Sequence, residues 1–148
     1  MKGAISMTEP AGLPLVSRGR AVTYWLATGF IAAEFALGGV WDLLQISYVR
    51  TVLAHLGYPS YFATFMGIWK VPGSVVLVVP RLPRLKEWVY AGMVYEMTGA
   101  LFSHLNVGDG ARAAAIPLVI LGLIALSWAL RPPDRRDFGH PASPSPSK

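Results

Sequence analysis

Four apolar stretches, at about residues 21–44, 61–79, 88–105 and 113–130, constrain this chain more than anything else in it. As helices rising 1.5 Å per residue they are about 27 to 36 Å long, close to the roughly 30 Å hydrocarbon core of a bilayer. The fourth carries no charge; the first holds Glu34 and Asp42, the second Lys70 and the third Glu96. The expected fold class is all-α, an integral-membrane four-helix bundle. Composition points the same way, with 53% apolar and 14% charged residues, where a soluble domain has about a quarter charged. A soluble helical bundle is the rival reading. The absence of cysteine removes disulfides, thiolate nucleophiles, cysteine-bound zinc, iron–sulfur clusters and covalently attached haem.

A net charge of +5 raises the question of nucleic acid, so the placement of the 13 basic residues matters. Lys2, Arg18 and Arg20 precede the first stretch, Arg81, Arg84 and Lys86 separate the second from the third, and Arg131, Arg135, Arg136 and Lys148 follow the fourth. The other two connections carry only Arg50 and Arg112, and Lys70 lies within a stretch. Ten against two, alternating with each crossing, is the positive-inside pattern of four helices with both ends in the cytoplasm, an N-in/C-in topology. The basic charge is read as topological, with no nucleic-acid partner. Trp25, Trp88, Tyr90 and Trp128 fall near the inner boundary and Trp41, Tyr58 and Tyr61 near the outer one, as interfacial anchors should; Trp69 falls mid-helix. A cleaved signal peptide is the alternative for the first stretch, but an Ala-x-Ala site is missing and its removal would spoil the charge alternation.

Residues 1–20 read as a polar lead-in broken by Pro10, Gly12 and Pro14, and 134–148 as a disordered cytoplasmic tail containing His140. Between them lies one domain, 21–133. Within it, 46–56 places Ile46, Val49, Val52, Leu53 and Leu56 at helical spacing, an amphipathic connector on the outer surface. A helical spacer is the plainer account of it, a lid the alternative.

Ionisable groups in hydrocarbon cost about 2.5–3.5 kcal/mol each at mid-depth, so each needs a partner or a purpose. Glu34, Lys70 and Glu96 sit near the centres of the first three stretches and so share one depth. Eight residues beyond each acid come Asp42 and His104, about 12 Å nearer the outer face, as a second polar layer. Gly38-Gly39 and Gly99-Ala100, with Ser103, are small residues on the same side that allow close backbone approach. The two helices thus read alike, a hint of a two-helix repeat. One lysine cannot neutralise two carboxylates, so the acid left over takes up a proton and becomes a hydrogen-bond donor. With Trp69 and Tyr95 nearby, this layer could hold a polar ring compound; a salt bridge that only ties helices together is the competing account. Pro72 is expected to kink the second helix and free a carbonyl near the pocket. His55 and His104 leave a non-covalent haem open, although one of them would have to fold back from the connector. Asp42 with His104 lacks a third metal ligand unless His55 joins it, so no metal is expected.

Several short motifs carry a family resemblance. They are Leu56-Gly57-Tyr58-Pro59 with Tyr61-Phe62; Gly67 with Trp69-Lys70; and Pro80 through Trp88 running into Tyr90-Ala91-Gly92. Thr98-Gly99-Ala100 with Ser103-His104, and Ser127 through Pro132, complete the set. Over about residues 21–133 the sequence resembles the DoxX-like family, small four-helix bacterial membrane proteins of the DoxX/DoxD group. That group is named for a subunit of a thiosulfate:quinone oxidoreductase. The resemblance implies a subunit or accessory of a membrane redox system, with a membrane redox partner protein and a quinone as cofactor, in the inner (plasma) membrane. Missing cysteines disfavour a thiol relay, which leaves quinone contact through the Glu/Lys/Tyr/Trp layer. Distant four-helix relatives that bind sterol-like ligands make another small amphipathic molecule the main alternative.

The expected ligand site is therefore Glu34, Lys70, Glu96, Trp69 and Tyr95, with Asp42 and His104 as its outer vestibule; no catalytic residue is assigned. Two other classes remain as rivals. One is a small-molecule or proton-coupled transporter, which with only four helices would need a parallel homo-oligomer; the other is a purely structural scaffold.

Overall fold

The computed structural model describes residues 16–132 and residue 135; the lead-in up to residue 15, and the tail from 136 with His140, lie outside the described residues. The described residues form five α-helices: α1 (Val16–Leu44), α2 (Ser47–His55), α3 (Tyr61–Val78), α4 (Pro83–Val107) and α5 (Gly110–Leu130). No strand occurs among the described residues. Helix α4 begins before the apolar stretch at 88 because Pro83, with its fixed φ and no N–H to satisfy, is suited to a first turn. It ends at Gly108, whose φ of 78° is the left-handed cap that glycine adopts at low cost. Helix α3 stays helical across Pro72.

Among the described residues three helices are long and apolar enough to cross a membrane: α1 from Arg18, α3 and α5. At 25 residues α4 has the length, but Glu96, Thr98, Ser103 and His104 lower its hydropathy and it does not join that group. The reading of α4 as a span thus depends on its neighbours rather than on its own composition.

Helix α1 packs along α3 and α5, α4 packs along α5, and α3 meets α4 over a much shorter stretch. At one end Arg20 donates to the Ala129 carbonyl at 3.4 Å and Lys86 to the Leu77 carbonyl at 2.8 Å. At the other, Gln45 donates to Thr64 Oγ1 at 2.9 Å and Tyr58 bonds Ser103 at 2.8 Å. Successive long helices are therefore antiparallel. Ile31, Phe35, Leu77, Met93, Met97 and Ile124 fill the interior. Leu26, Phe30, Phe65, Ile68, Ile116 and Val119 are exposed on the outer faces, a surface suited to lipid rather than water. Helix α2 turns Val49 inward and leaves Tyr48 exposed.

The closest crossing is between α1 and α3. A Cβ on Gly67 would lie 2.7 Å from the Gly39 carbonyl oxygen and 2.7 Å from Leu43 Cγ, and one on Gly39 would lie 2.7 Å from Lys70 Cβ. Since backbone cannot yield as a side-chain tip can, Gly67→Ala is expected to cost about 1–3 kcal/mol, read as a lower thermal midpoint of the purified protein. Gly122→Ala, where nothing lies within 4 Å, should leave the midpoint unchanged or slightly higher. Gly99 is different from Gly39: nothing lies within 4 Å of the Cβ position there, so the likeness between the two small-residue pairs does not extend to packing.

Tyr90 is a second departure from the sequence reading. Rather than anchoring at an interface it is 3% exposed, and its hydroxyl bonds Ser127 Oγ at 2.7 Å, which in turn bonds Thr28 Oγ1 at 2.7 Å. The hydroxyls of α1, α4 and α5 satisfy one another there, as buried polar groups must.

Candidate functional site

Because α3 and α4 touch only briefly, a cleft of about 510 Å³ opens between them. Phe35 of α1 lies at its back, Lys70 and Glu96 lie in its wall, and the largely exposed rings of Trp69, Trp88 and Tyr95 form its rim. Pro72 lines it too. The volume falls in the range of small-molecule sites, about 300–1,000 Å³, and the lining combines apolar walls with a few polar groups.

The charged group at the cleft draws on three helices. Lys70 Nζ is 2.8 Å from Glu96 Oε1 and 3.0 Å from Asp42 Oδ2, with all three side chains at most 15% exposed. The ammonium also lies 5.7 Å from the Phe35 ring centroid, near enough for a cation–π attraction. Gly38 leaves room for it, since a Cβ there would be 3.4 Å from Nζ. Glu34 is left over: its Oε2 is buried without a hydrogen-bond partner.

This arrangement corrects the expected layering. Depth alone placed Glu34 level with Lys70 and put Asp42 with His104. Side chains lean toward the N-terminus of their helix. Helix α3 begins at the end of the molecule where α1 finishes, so Lys70 leans toward Asp42. Antiparallel α1 tilts Asp42 back toward Lys70 and tilts Glu34 away. His104 instead gives a ring N–H to Asp109 Oδ2 at 2.6 Å, while His55 gives one to Asp109 Oδ1, also at 2.6 Å. Neither Glu34, Asp42 nor His104 lines the cleft itself. The two histidines hold the Asp109 carboxyl below the usual carboxylate range and tie α2 and the end of α4 to the start of α5. Among the described residues no three histidine or acid side chains are placed to hold a metal ion.

The sequence reading missed one cluster altogether. Lys86, Arg131 and Arg135 were read only as topological charges, yet they are 0%, 3% and 9% exposed. Lys86 Nζ donates to the carbonyls of Val76 at 2.5 Å, Leu77 at 2.8 Å and Val79, closing the last turn of α3. Arg131 pairs with Glu87 and lies over Tyr90 and Trp128. The only hint in the sequence was the lone acid Glu87 between Lys86 and Trp88.

Long apolar helices crossing against each other, with charge gathered in the interior and hydrocarbon side chains outward, define a helical membrane protein. The chain belongs to the DoxX-like family, whose model matches residues 26–128. No match was found among the curated proteins or the solved structures.

Proposed function

We propose that this protein is a four-helix bundle of the inner membrane, with both termini cytoplasmic, that binds a small amphipathic molecule of the quinone class as a subunit or accessory of a membrane redox system. The observation that carries the reading is the coincidence of an apolar cleft with a buried lysine–carboxylate pair in its wall. A quinone ring fits between Trp69, Trp88 and Tyr95 with a carbonyl toward the Lys70 ammonium, and its apolar tail leaves through the opening between α3 and α4. Entry from the bilayer needs no aqueous path. Lys70 already faces two carboxylates, and Glu34, which does not line the cleft, is given no contact with the ligand. Charge alternation supports this topology, with the Lys86 end toward the cytoplasm.

Titration of the purified protein with a short-chain benzoquinone tests this through quenching of the tryptophans at the cleft rim. Saturable quenching is expected, weakened about tenfold or more when the ammonium is removed in the charge-balanced Lys70→Met/Asp42→Asn/Glu96→Gln variant, since a hydrogen bond to a charged group contributes about 1.5–3 kcal/mol. Quenching that never saturates, or that this folded variant leaves unchanged, would count against the site. A scaffold reading also has an observation in its favour, because Lys70 links α1, α3 and α4 through Asp42 and Glu96.

A further inference from the structure

At the end of the molecule where α1 and α4 begin, three cations are withdrawn from solvent and among the described residues meet one carboxylate, Glu87. Lys86 has its three protons on the carbonyls of α3. Arg135 reaches the Val78 carbonyl at 3.2 Å and lies 4.5 Å from the Trp25 ring. Glu87 is the carboxylate they meet among the described residues, and it also accepts from Trp128 Nε1 at 2.9 Å. Arg131 is incompletely satisfied: its Nη1 is buried with no hydrogen-bond partner, and so is the hydroxyl of Tyr24. Burial together with the nearby Arg135 and Arg131 pushes the Lys86 ammonium down to about 8, a sign that the cations repel one another. A buried guanidinium with an idle donor, among like charges, is a strong site for an anion.

The second observation is independent of the charge. Beside Arg131 the outer faces of α4 and α5 leave a groove of about 430 Å³, which starts at Glu87 and Trp128, passes Tyr90 and Ile124 and reaches Val94 and Tyr95. Eight residues of α4 make it about 12 Å long. Its lining is chiefly apolar, and it begins where Arg131 lies over the Trp128 ring, 5.8 Å from the centroid. Free phosphate would use the cation and leave the groove empty; a phospholipid uses both.

We propose that this end of the protein binds an anionic phospholipid, with the phosphate at Arg131 in the field of Arg135 and Lys86 and one acyl chain along the α4–α5 groove. Basic pockets between membrane helices on the cytoplasmic side hold headgroups of this kind. The groove shares Tyr95 with the rim of the α3–α4 cleft and is otherwise lined by other residues, so the site stands whether or not that cleft takes a quinone.

Native mass spectrometry of the full chain in neutral detergent tests the assignment, with phosphatidylglycerol and phosphatidylcholine of identical acyl chains added in equal amounts. Wild type should retain phosphatidylglycerol about tenfold more than phosphatidylcholine, a ratio within reach of about 1 kcal/mol per cation. Ala125→Trp fills the groove from an exposed position without touching Arg131, and should reduce phosphatidylglycerol retention about fivefold. If that variant does not fold, the comparison of the two lipids on wild type decides alone. A thermal-shift arm separates the sources of phosphate: phosphatidylglycerol should raise the midpoint and inorganic phosphate should not. Equal retention of the two lipids, unchanged retention in a folded Ala125→Trp, or the same stabilisation by inorganic phosphate would overturn the assignment.

Discussion

Lys70→Met is expected to destabilise the purified protein by about 3–5 kcal/mol, read as a large drop in its thermal midpoint. The lysine is the common partner of Asp42 on α1 and Glu96 on α4, and all three side chains are nearly buried. Without it two carboxylates face one another, with Glu34 close by, in a medium that solvates charge poorly. Neutralising the stranded acids in the same background, with Asp42→Asn and Glu96→Gln, should recover most of the loss, because much of the cost is the uncompensated charge rather than the missing lysine. The same set of variants separates the two readings of the cleft. If the triple variant regains stability yet has lost saturable benzoquinone quenching, the pair serves a ligand. If quenching was absent from wild type and stability follows charge balance alone, Lys70 is a tie between three helices.

Lys86→Met is the second large effect, about 2–4 kcal/mol of stability lost at neutral pH. The lysine donates to three carbonyls at the end of α3, where a helix has acceptors and no donors of its own. Two forces oppose each other at this site. Burial and the two arginines disfavour the ammonium, whereas the three carbonyls and the negative end of the α3 dipole favour it. Burial and the arginines outweigh the bonds enough to lower the group to about 8, but pH 7 still lies below that value, so the ammonium is kept and methionine would leave the carbonyls unpaired. The pH dependence has a definite sign. Folding lowers this group from 10.5 to about 8, so between those values the unfolded chain holds a proton that the folded chain has released. From this group, stability rises as pH climbs from about 8 toward 10.5. A thermal-midpoint series across that window should show the rise in wild type, and Lys86→Met should lack it.

Much of the fold could be read from patterns that depend on one chain segment at a time. Apolar length located the helices, and Pro83 and Gly108 mark the ends of α4, because φ restrictions act on single residues. Polar residues in apolar surroundings singled out Glu34, Asp42, Lys70, Glu96 and His104, since exclusion of charge from hydrocarbon does not depend on the neighbours. Their partners were not legible. Depth along a helix is a one-dimensional quantity, whereas which acid a lysine reaches depends on the direction its side chain leans relative to an antiparallel neighbour. His104 was assigned to Asp42 by depth and bonds Asp109 instead, a residue just past its own helix that the sequence marked only as part of a connection.

The basic residues show the same limit more sharply. Counting Lys and Arg by connection ordered them by expected topology only. It said nothing of burial, because long cationic side chains can stay in water or reach inward with equal composition. Lys86, Arg131 and Arg135 turn inward because unsatisfied carbonyls at the end of α3, the Glu87 carboxylate and the rings of Tyr90, Trp25 and Trp128 await them. The α3–α4 cleft belongs to the same category. The sequence by itself determined that the chain is a set of apolar helices with few, costly charges, because hydrophobicity and helical period are properties of one strand of residues. Only the tertiary structure decided which charges meet, which cations are buried and where the helices part, because those depend on how the helices lie against each other.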